Sequence, residues 1–156
     1  MIWGISTNEL LCSVALIGML VAVAIPNLVQ VLSRVAQVEA FSLVGRNKLY
    51  WADVWANDGI RDVSESPAFA LAEKGSYMDS APNNRADGGM DMVFKSRFHR
   101  LEGGVLTIRP AISTSGSGAV IWVCGRAPAP RGFTARGQQS TNILDSELIH
   151  TCRGRP

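Results

Sequence analysis

One acidic residue at the head of a long uncharged stretch constrains this chain more than any other feature. Glu9 precedes twenty-four residues without a charge, 10–33, and the first sixteen of these are strongly apolar. At ~1.5 Å per residue, a helix over this stretch is about 36 Å long, enough to cross the hydrocarbon core of a bilayer. A carboxylate beside such a segment is costly to bury unless a cation neutralises it. The sequence therefore predicts a partner for Glu9, most simply contributed by another copy of the chain.

The apolar stretch does not fit the pattern of a cleaved secretory signal. Such a signal has a basic segment, then an apolar run of about 7–15 residues, then a small-residue cleavage site. No lysine or arginine precedes Arg34, and the residues after Pro26 keep a helical pattern. A membrane anchor is therefore favoured over the alternative, a core helix buried in a soluble domain.

The helical pattern continues beyond the apolar stretch as an amphipathic helix. Apolar residues recur at three- and four-residue spacing, with polar residues between them. The predicted apolar stripe comprises Leu28, Val31, Leu32, Val35, Val38 and Phe41. Gly59, after Asn57 and Asp58, is the predicted stop, which gives one helix of about 48 residues. Pro26 should bend this helix, because proline removes a backbone donor.

The rest of the chain predicts a small antiparallel sheet. Residues 60–87 lack a sustained period and are typical of a connecting loop. Three β-rich runs follow, at 90–94, 104–108 and 119–123, and Pro110 is expected to end the second. The predicted fold class is α+β: a long helix whose apolar half protrudes and whose amphipathic half packs on an antiparallel sheet.

Two of the three cysteines point to an oxidising compartment. Cys12 lies in the apolar helix and suits a small packing residue. Cys124 and Cys152 bound a segment rich in glycine, proline and arginine, which has little apolar content with which to fold itself. A disulfide between them is predicted to stabilise the segment by about 3.5 kcal/mol in the chain-entropy model. The alternative is a pair of free thiols in a cytosolic domain.

The sequence shows no recognisable catalytic motif. The histidines, His99 and His150, lack the spacing of a zinc-protease helix, and no serine stands in a nucleophile elbow. The paired glycines lack the strand-then-helix context of a nucleotide-binding loop. We therefore predict no enzyme activity, metal or cofactor.

Charge is divided unevenly along the chain. Residues 1–94 include six basic and ten acidic residues, a balance of −4, whereas residues 95–156 include nine basic and three acidic residues, a balance of +6. A basic C-terminal part attracts polyanions. A solvated surface that is rich in arginine is the simpler explanation.

Several segments together resemble bacterial type IV pilins of the type IVa class. In the N-terminal half they are Gly4-Ile5, Glu9, residues 18–26 (GMLVAVAIP), Glu39-Ala40 and residues 56–59 (ANDG). In the C-terminal half they are residues 101–110 (LEGGVLTIRP), residues 119–125 (AVIWVCG), Pro130, Gly132 and residues 148–153 (LIHTCR). The resemblance extends over nearly the whole chain, and the Trp-x-Cys-Gly element with a distant Cys-Arg is specific to pilins of this class.

The resemblance implies a precursor that a membrane peptidase, the prepilin peptidase, cuts after Gly4, with N-methylation of Ile5 as the new terminus. The mature subunit would leave the inner membrane and stack with other copies of itself into an extracellular filament, aided by the pilus assembly machinery. Glu9 would then neutralise the Ile5 amine of a neighbouring copy. The implied role is a structural pilus subunit that serves adhesion to host surfaces, twitching motility or DNA uptake.

The resemblance also implies a division of the chain. It places a leader at 1–4, the filament-core half of the helix at 5–33, its amphipathic half at 34–59, an αβ-loop at 60–87, the sheet at 88–123, the disulfide-bounded loop at 124–152 and a tail at 153–156.

Two alternatives to a structural subunit stay open. In the first, the chain is a minor pilin that binds DNA through the arginines of its basic half. These are Arg126, Arg131, Arg136, Arg153 and Arg155. In the second, the chain is a membrane-anchored protein that never polymerises, and Glu9 remains unpaired.

Overall fold

A long helix and an antiparallel sheet make up the part of the chain that the computed structural model describes, residues 6–58, 75–79, 83–84, 87–95 and 101–154. The elements are α1 (Thr7–Leu43), α2 (Gly45–Asp58), β1 (Asn83–Asn84), β2 (Met90–Val93), β3 (Val105–Ser113), β4 (Val120–Cys124), β5 (Phe133–Ala135) and a short 3-10 helix (His150–Cys152). The sheet order is β1, β2, β3, β4, and β5 pairs with the far end of β3. The predicted α+β pilin-like fold is confirmed.

The predicted long helix is confirmed, with a one-residue turn at Val44 between α1 and α2. Hydrogen bonding continues across the turn, because the Val44 N–H donates to the Ala40 carbonyl and the Lys48 N–H donates to the Val44 carbonyl. α2 ends at Asp58, next to the predicted stop. Pro26 lies inside α1, which is helical on both sides of the proline. A bend at Pro26 stays a prediction.

The helix face that packs on the sheet differs from the predicted one. The buried residues recur at three- and four-residue spacing and are Ser33, Ala36, Gln37, Ala40, Val44, Asn47 and Trp51. Four residues of the predicted stripe are instead exposed, namely Leu28, Val31, Val35 and Val38. The predicted stripe is therefore wrong at these four positions, whereas Phe41 does pack against the core. Ala36 and Ala40 instead join the same core cluster as Leu106 and Ile108.

β3 runs through Pro110, although proline was expected to end it. Pro110 pairs with Trp122 of β4, and its carbonyl accepts a hydrogen bond from the Arg136 N–H on the opposite edge of β3. On that edge β2 pairs as far as Ile108 and β5 begins pairing at Ala111. The proline nitrogen lies between these two partners, where the strand needs no donor. The expected strand end is wrong because proline is tolerated at such a gap in the ladder.

The region predicted as a connecting loop, 60–87, borders the sheet where it is described. Met78 forms an isolated bridge with Phe94, and β1 pairs with β2. Glu39 of α1 anchors the segment just before Met78, because its carboxylate accepts hydrogen bonds from the Ser76 and Tyr77 N–H groups. The rest of the predicted loop lies outside the described residues.

Candidate functional site

The first half of α1 projects from the domain with its apolar side chains in the open. Every residue from 6 to 28 is exposed, and Leu20 and Val23 are 73% and 75% accessible. In the most apolar part of this helix, no residue is buried against the rest of the described chain. By its length and composition, the helix can cross a membrane. An apolar surface this large requires a lipid or protein environment.

Glu9 lies in the first turn of this exposed helix. Its carboxylate accepts a hydrogen bond of 3.0 Å from the N–H of Ser6, the residue that caps the helix. Ser6 and Glu9 thus have the spacing of a capping box, and a negative charge at this end is favourable to the helix dipole. Glu9 makes no ion pair with the described residues. Its charge therefore remains available to a cation from elsewhere.

The predicted disulfide between Cys124 and Cys152 is confirmed, with an S–S distance of 2.00 Å. The segment that it bounds is held by more than the bridge. β5 adds to the sheet, and Ile143 and Leu148 enter the hydrophobic core. The expectation that the segment has little apolar content is correct for its composition, but the few apolar residues that it has are well buried. Cys12 is a free and exposed cysteine in α1.

A buried glutamine ties the end of this segment to the helix. Gln37 is fully buried, and its amide Nε2 donates to the Glu147 carbonyl at 2.8 Å while its Oε1 accepts from the Ile149 N–H at 2.9 Å. These two bonds join the backbone of Glu147 and Ile149 to α1 in a part-buried position, where loss of a hydrogen-bond partner is costly. Gln37 is one of the polar residues that lie between the members of the predicted apolar stripe. Its four- and three-residue spacing from Ser33 and Ala40 was the available signal for burial.

Replacing Gln37 by methionine should lower the free energy of unfolding by about 2–4 kcal/mol, because two backbone groups lose their partner while the volume is kept. Gln30→Met is the matched control, since Gln30 is exposed on the same helix. Denaturant unfolding of the purified protein measures both variants. Equal stability of the two variants would show that the amide bonds contribute nothing.

The five arginines predicted to bind DNA fall into different environments. Arg126 is held inside the loop, because its guanidinium donates to the carboxylate of Asp145 and to the Ile143 carbonyl, both at 2.7 Å. Arg153 donates to the Leu148 carbonyl at 2.8 Å. Arg131 and Arg136 are exposed, and Arg136 lies over the Trp55 ring. Arg155 lies outside the described residues.

The DNA hypothesis consequently depends most on Arg131 and Arg136. If both contact phosphates, the double Arg→Ala variant should bind duplex DNA more weakly and lower the slope of log affinity against log salt by about 2. Titrations of the full chain in detergent at several salt concentrations measure this slope. A wild-type chain that fails to bind at low salt, or a double variant with an unchanged slope, would rule out the hypothesis.

The arrangement separates two kinds of surface. An exposed apolar helix carries a carboxylate at its head, and a compact domain stabilised by a disulfide lies at its other end. Gly4 and Ile5, the predicted processing residues, lie outside the described residues. No protein-family model matches the chain, and no curated protein matches it in sequence.

Proposed function

We propose that the chain is a structural subunit of a type IV pilus, a precursor that is cut after Gly4, N-methylated at Ile5 and polymerised into an extracellular filament. The observation that carries the proposal is the first half of α1, which is apolar, exposed and headed by a carboxylate without a cationic partner in the described chain. A simple membrane anchor can use that carboxylate to cap its helix but has no need of a cationic partner for it. A bundle of such helices does need the carboxylate, because cleavage after Gly4 would give each copy a charged Ile5 amine that requires a counter-charge.

The same helix suits two environments, first the bilayer and then the filament. Before assembly its apolar surface would lie in the bilayer, and the disulfide-bounded domain would lie on the oxidising side. After cleavage the Ile5 amine stands four residues ahead of Glu9, so that a neighbour's amine and this carboxylate can form one neutral pair in the filament core. The lipid-facing surface would then become helix-to-helix contact.

Leu28, Val31, Val35 and Val38 support the proposal further, because they extend the apolar surface to the level of the folded domain. Val35 and Val38 lie beyond Arg34, outside the predicted spanning stretch, so a helix that served only as an anchor would have no need to keep them exposed. Neighbouring copies can cover this surface in a filament.

Fractionation of cells that produce the chain tests the proposal. Filaments sheared from the surface should contain the chain as their main protein, and a strain without the chain should lack the filaments. A trace amount in otherwise normal filaments would indicate a minor subunit. Retention of the whole pool in the membrane fraction would contradict polymerisation and favour a plain membrane-anchored protein.

A further inference from the structure

A polar cleft lies between α1 and the end of the disulfide-bounded segment. It has a volume of about 200 Å³ and is lined by Gln30, Ser33, Arg34, Ser146, Glu147, Leu148 and Arg153. The cleft is distinct from the Glu9 end of the helix and from the exposed arginines Arg131 and Arg136. It brings together two guanidinium groups from opposite ends of the sequence.

Neither guanidinium in the cleft forms an ion pair with a carboxylate of the described residues. Arg34 makes no hydrogen bond or ion pair with the described residues. Arg153 is half-buried, and among the described residues its guanidinium donates to the carbonyls of Leu148 and Ser146, which leaves further N–H donors for another group. Glu147 contributes one carboxylate to the lining, so the cleft keeps a net positive charge.

The position of the cleft along α1, relative to the bilayer, indicates which kind of anion the two guanidinium groups would bind. Arg34 is the first charged residue after the uncharged stretch 10–33, about 36 Å along the helix from Leu10. If that stretch spans the hydrocarbon core, Arg34 and the cleft lie in the layer of lipid headgroups. Arginine binds phosphate in a bidentate manner, and a second guanidinium from Arg153 can share the remaining phosphate oxygens.

We propose that this cleft binds the phosphodiester of an anionic phospholipid headgroup while the chain is in the membrane. The inference rests on the membrane placement in the proposed function. Bound lipid would hold the domain at a set height against the bilayer and would leave when the subunit enters a filament.

Lipid retention by the full chain tests the proposal. The protein is reconstituted in phosphatidylcholine vesicles that contain some phosphatidylglycerol, extracted in mild detergent, and examined by native mass spectrometry. Wild type should keep phosphatidylglycerol, and Arg34→Gln should reduce the retained fraction about tenfold through loss of a charged contact. Arg153→Gln should reduce it similarly, although that variant also loses bonds within the loop. Arg131→Gln is the matched control with the same change in charge and should retain lipid as wild type does.

Four further outcomes separate the explanations. Displacement of the lipid by inorganic phosphate would show a site for free anions and overturn the lipid assignment. Wild type without retained lipid, combined with loss of filaments in Arg34→Gln, would assign the cleft to an acidic group of a neighbouring copy. Release of the chain from vesicles by alkali would contradict membrane insertion itself, and with it the proposed function, whereas unchanged retention in an inserted Arg34→Gln variant overturns this inference alone.

Discussion

Glu9→Ala is expected to abolish filament assembly while the chain still inserts in the membrane. In the proposed filament core the neighbour's Ile5 amine would lose its counter-charge, which costs about 3–5 kcal/mol per subunit by analogy with a broken buried ion pair. Because every subunit repeats this loss, assembly should fail rather than weaken. Electron microscopy of sheared material measures assembly, and membrane fractionation measures insertion.

Glu9→Gln separates the charge of this residue from its local role at the helix end. The Glu9 carboxylate also accepts the Ser6 N–H, and glutamine can keep that hydrogen bond in a capping box. Glu9→Ala loses both functions, whereas Glu9→Gln loses only the charge. We expect Glu9→Ala to form no filaments and Glu9→Gln to assemble poorly. Normal filaments from Glu9→Gln, with none from Glu9→Ala, would show that helix capping rather than charge pairing is required.

Co-expression with wild type extends the test to the abundance of the subunit. A Glu9→Ala chain that is the majority subunit should depress piliation by the wild-type chain, because it competes for the same membrane pool. A minor subunit would simply be missing from the fibre. Normal filaments built from the Glu9→Ala variant alone would contradict the inferred pairing.

Loss of the disulfide is expected to lower the free energy of unfolding by up to about 3.5 kcal/mol, because the bridge restricts the unfolded chain over a long loop. Cys152→Ser should therefore unfold at lower denaturant concentration and reduce surface pili. Cys12→Ser is the matched control, since it removes a free cysteine outside the bridge. Equal stability of Cys152→Ser and Cys12→Ser would contradict a stabilising role for the bridge.

The bridge and Gln37 act on the same short segment. Gln37 holds the backbone of Glu147 and Ile149, and the disulfide holds Cys152 a few residues later. Once one restraint is removed and the segment is free to move, the second restraint contributes less to the free energy of unfolding. The destabilisation of the Gln37→Met and Cys152→Ser double variant should therefore be smaller than the sum of the single effects. Full additivity would mean that the two restraints act independently.

Features that depend on a local pattern are predictable from this sequence. The apolar half of α1 follows from the uncharged stretch at 10–33, and β2 and β4 follow from their β-rich runs. Of the candidate site, Glu9 is conspicuous as the only charge before that stretch, and Cys124 and Cys152 stand out by composition. Each of these signals is contained within a few residues of the chain.

The features that the sequence did not reveal depend on distant partners. The buried helix face is decided by contacts with the distant sheet: Ala36 and Ala40 enter the core, whereas the more apolar Val35 and Val38 are exposed. Gln37 bonds to Glu147 and Ile149, which lie 110 and 112 positions further along the chain, so no local pattern identifies its role. β5, at Phe133–Ala135, is short and gains its pairing only from the far end of β3. Tertiary context determines all three.

Mass spectrometry of the N-terminal peptide from sheared surface filaments tests the central claim most directly. A polymerised pilus subunit should begin with N-methylated Ile5, because cleavage after Gly4 creates the amine that Glu9 is proposed to neutralise. Filaments should contain this peptide and lack the peptide that begins at Met1. Purified filaments whose subunit still carries Met1 would contradict the processing step, the charge pairing and the proposed function together.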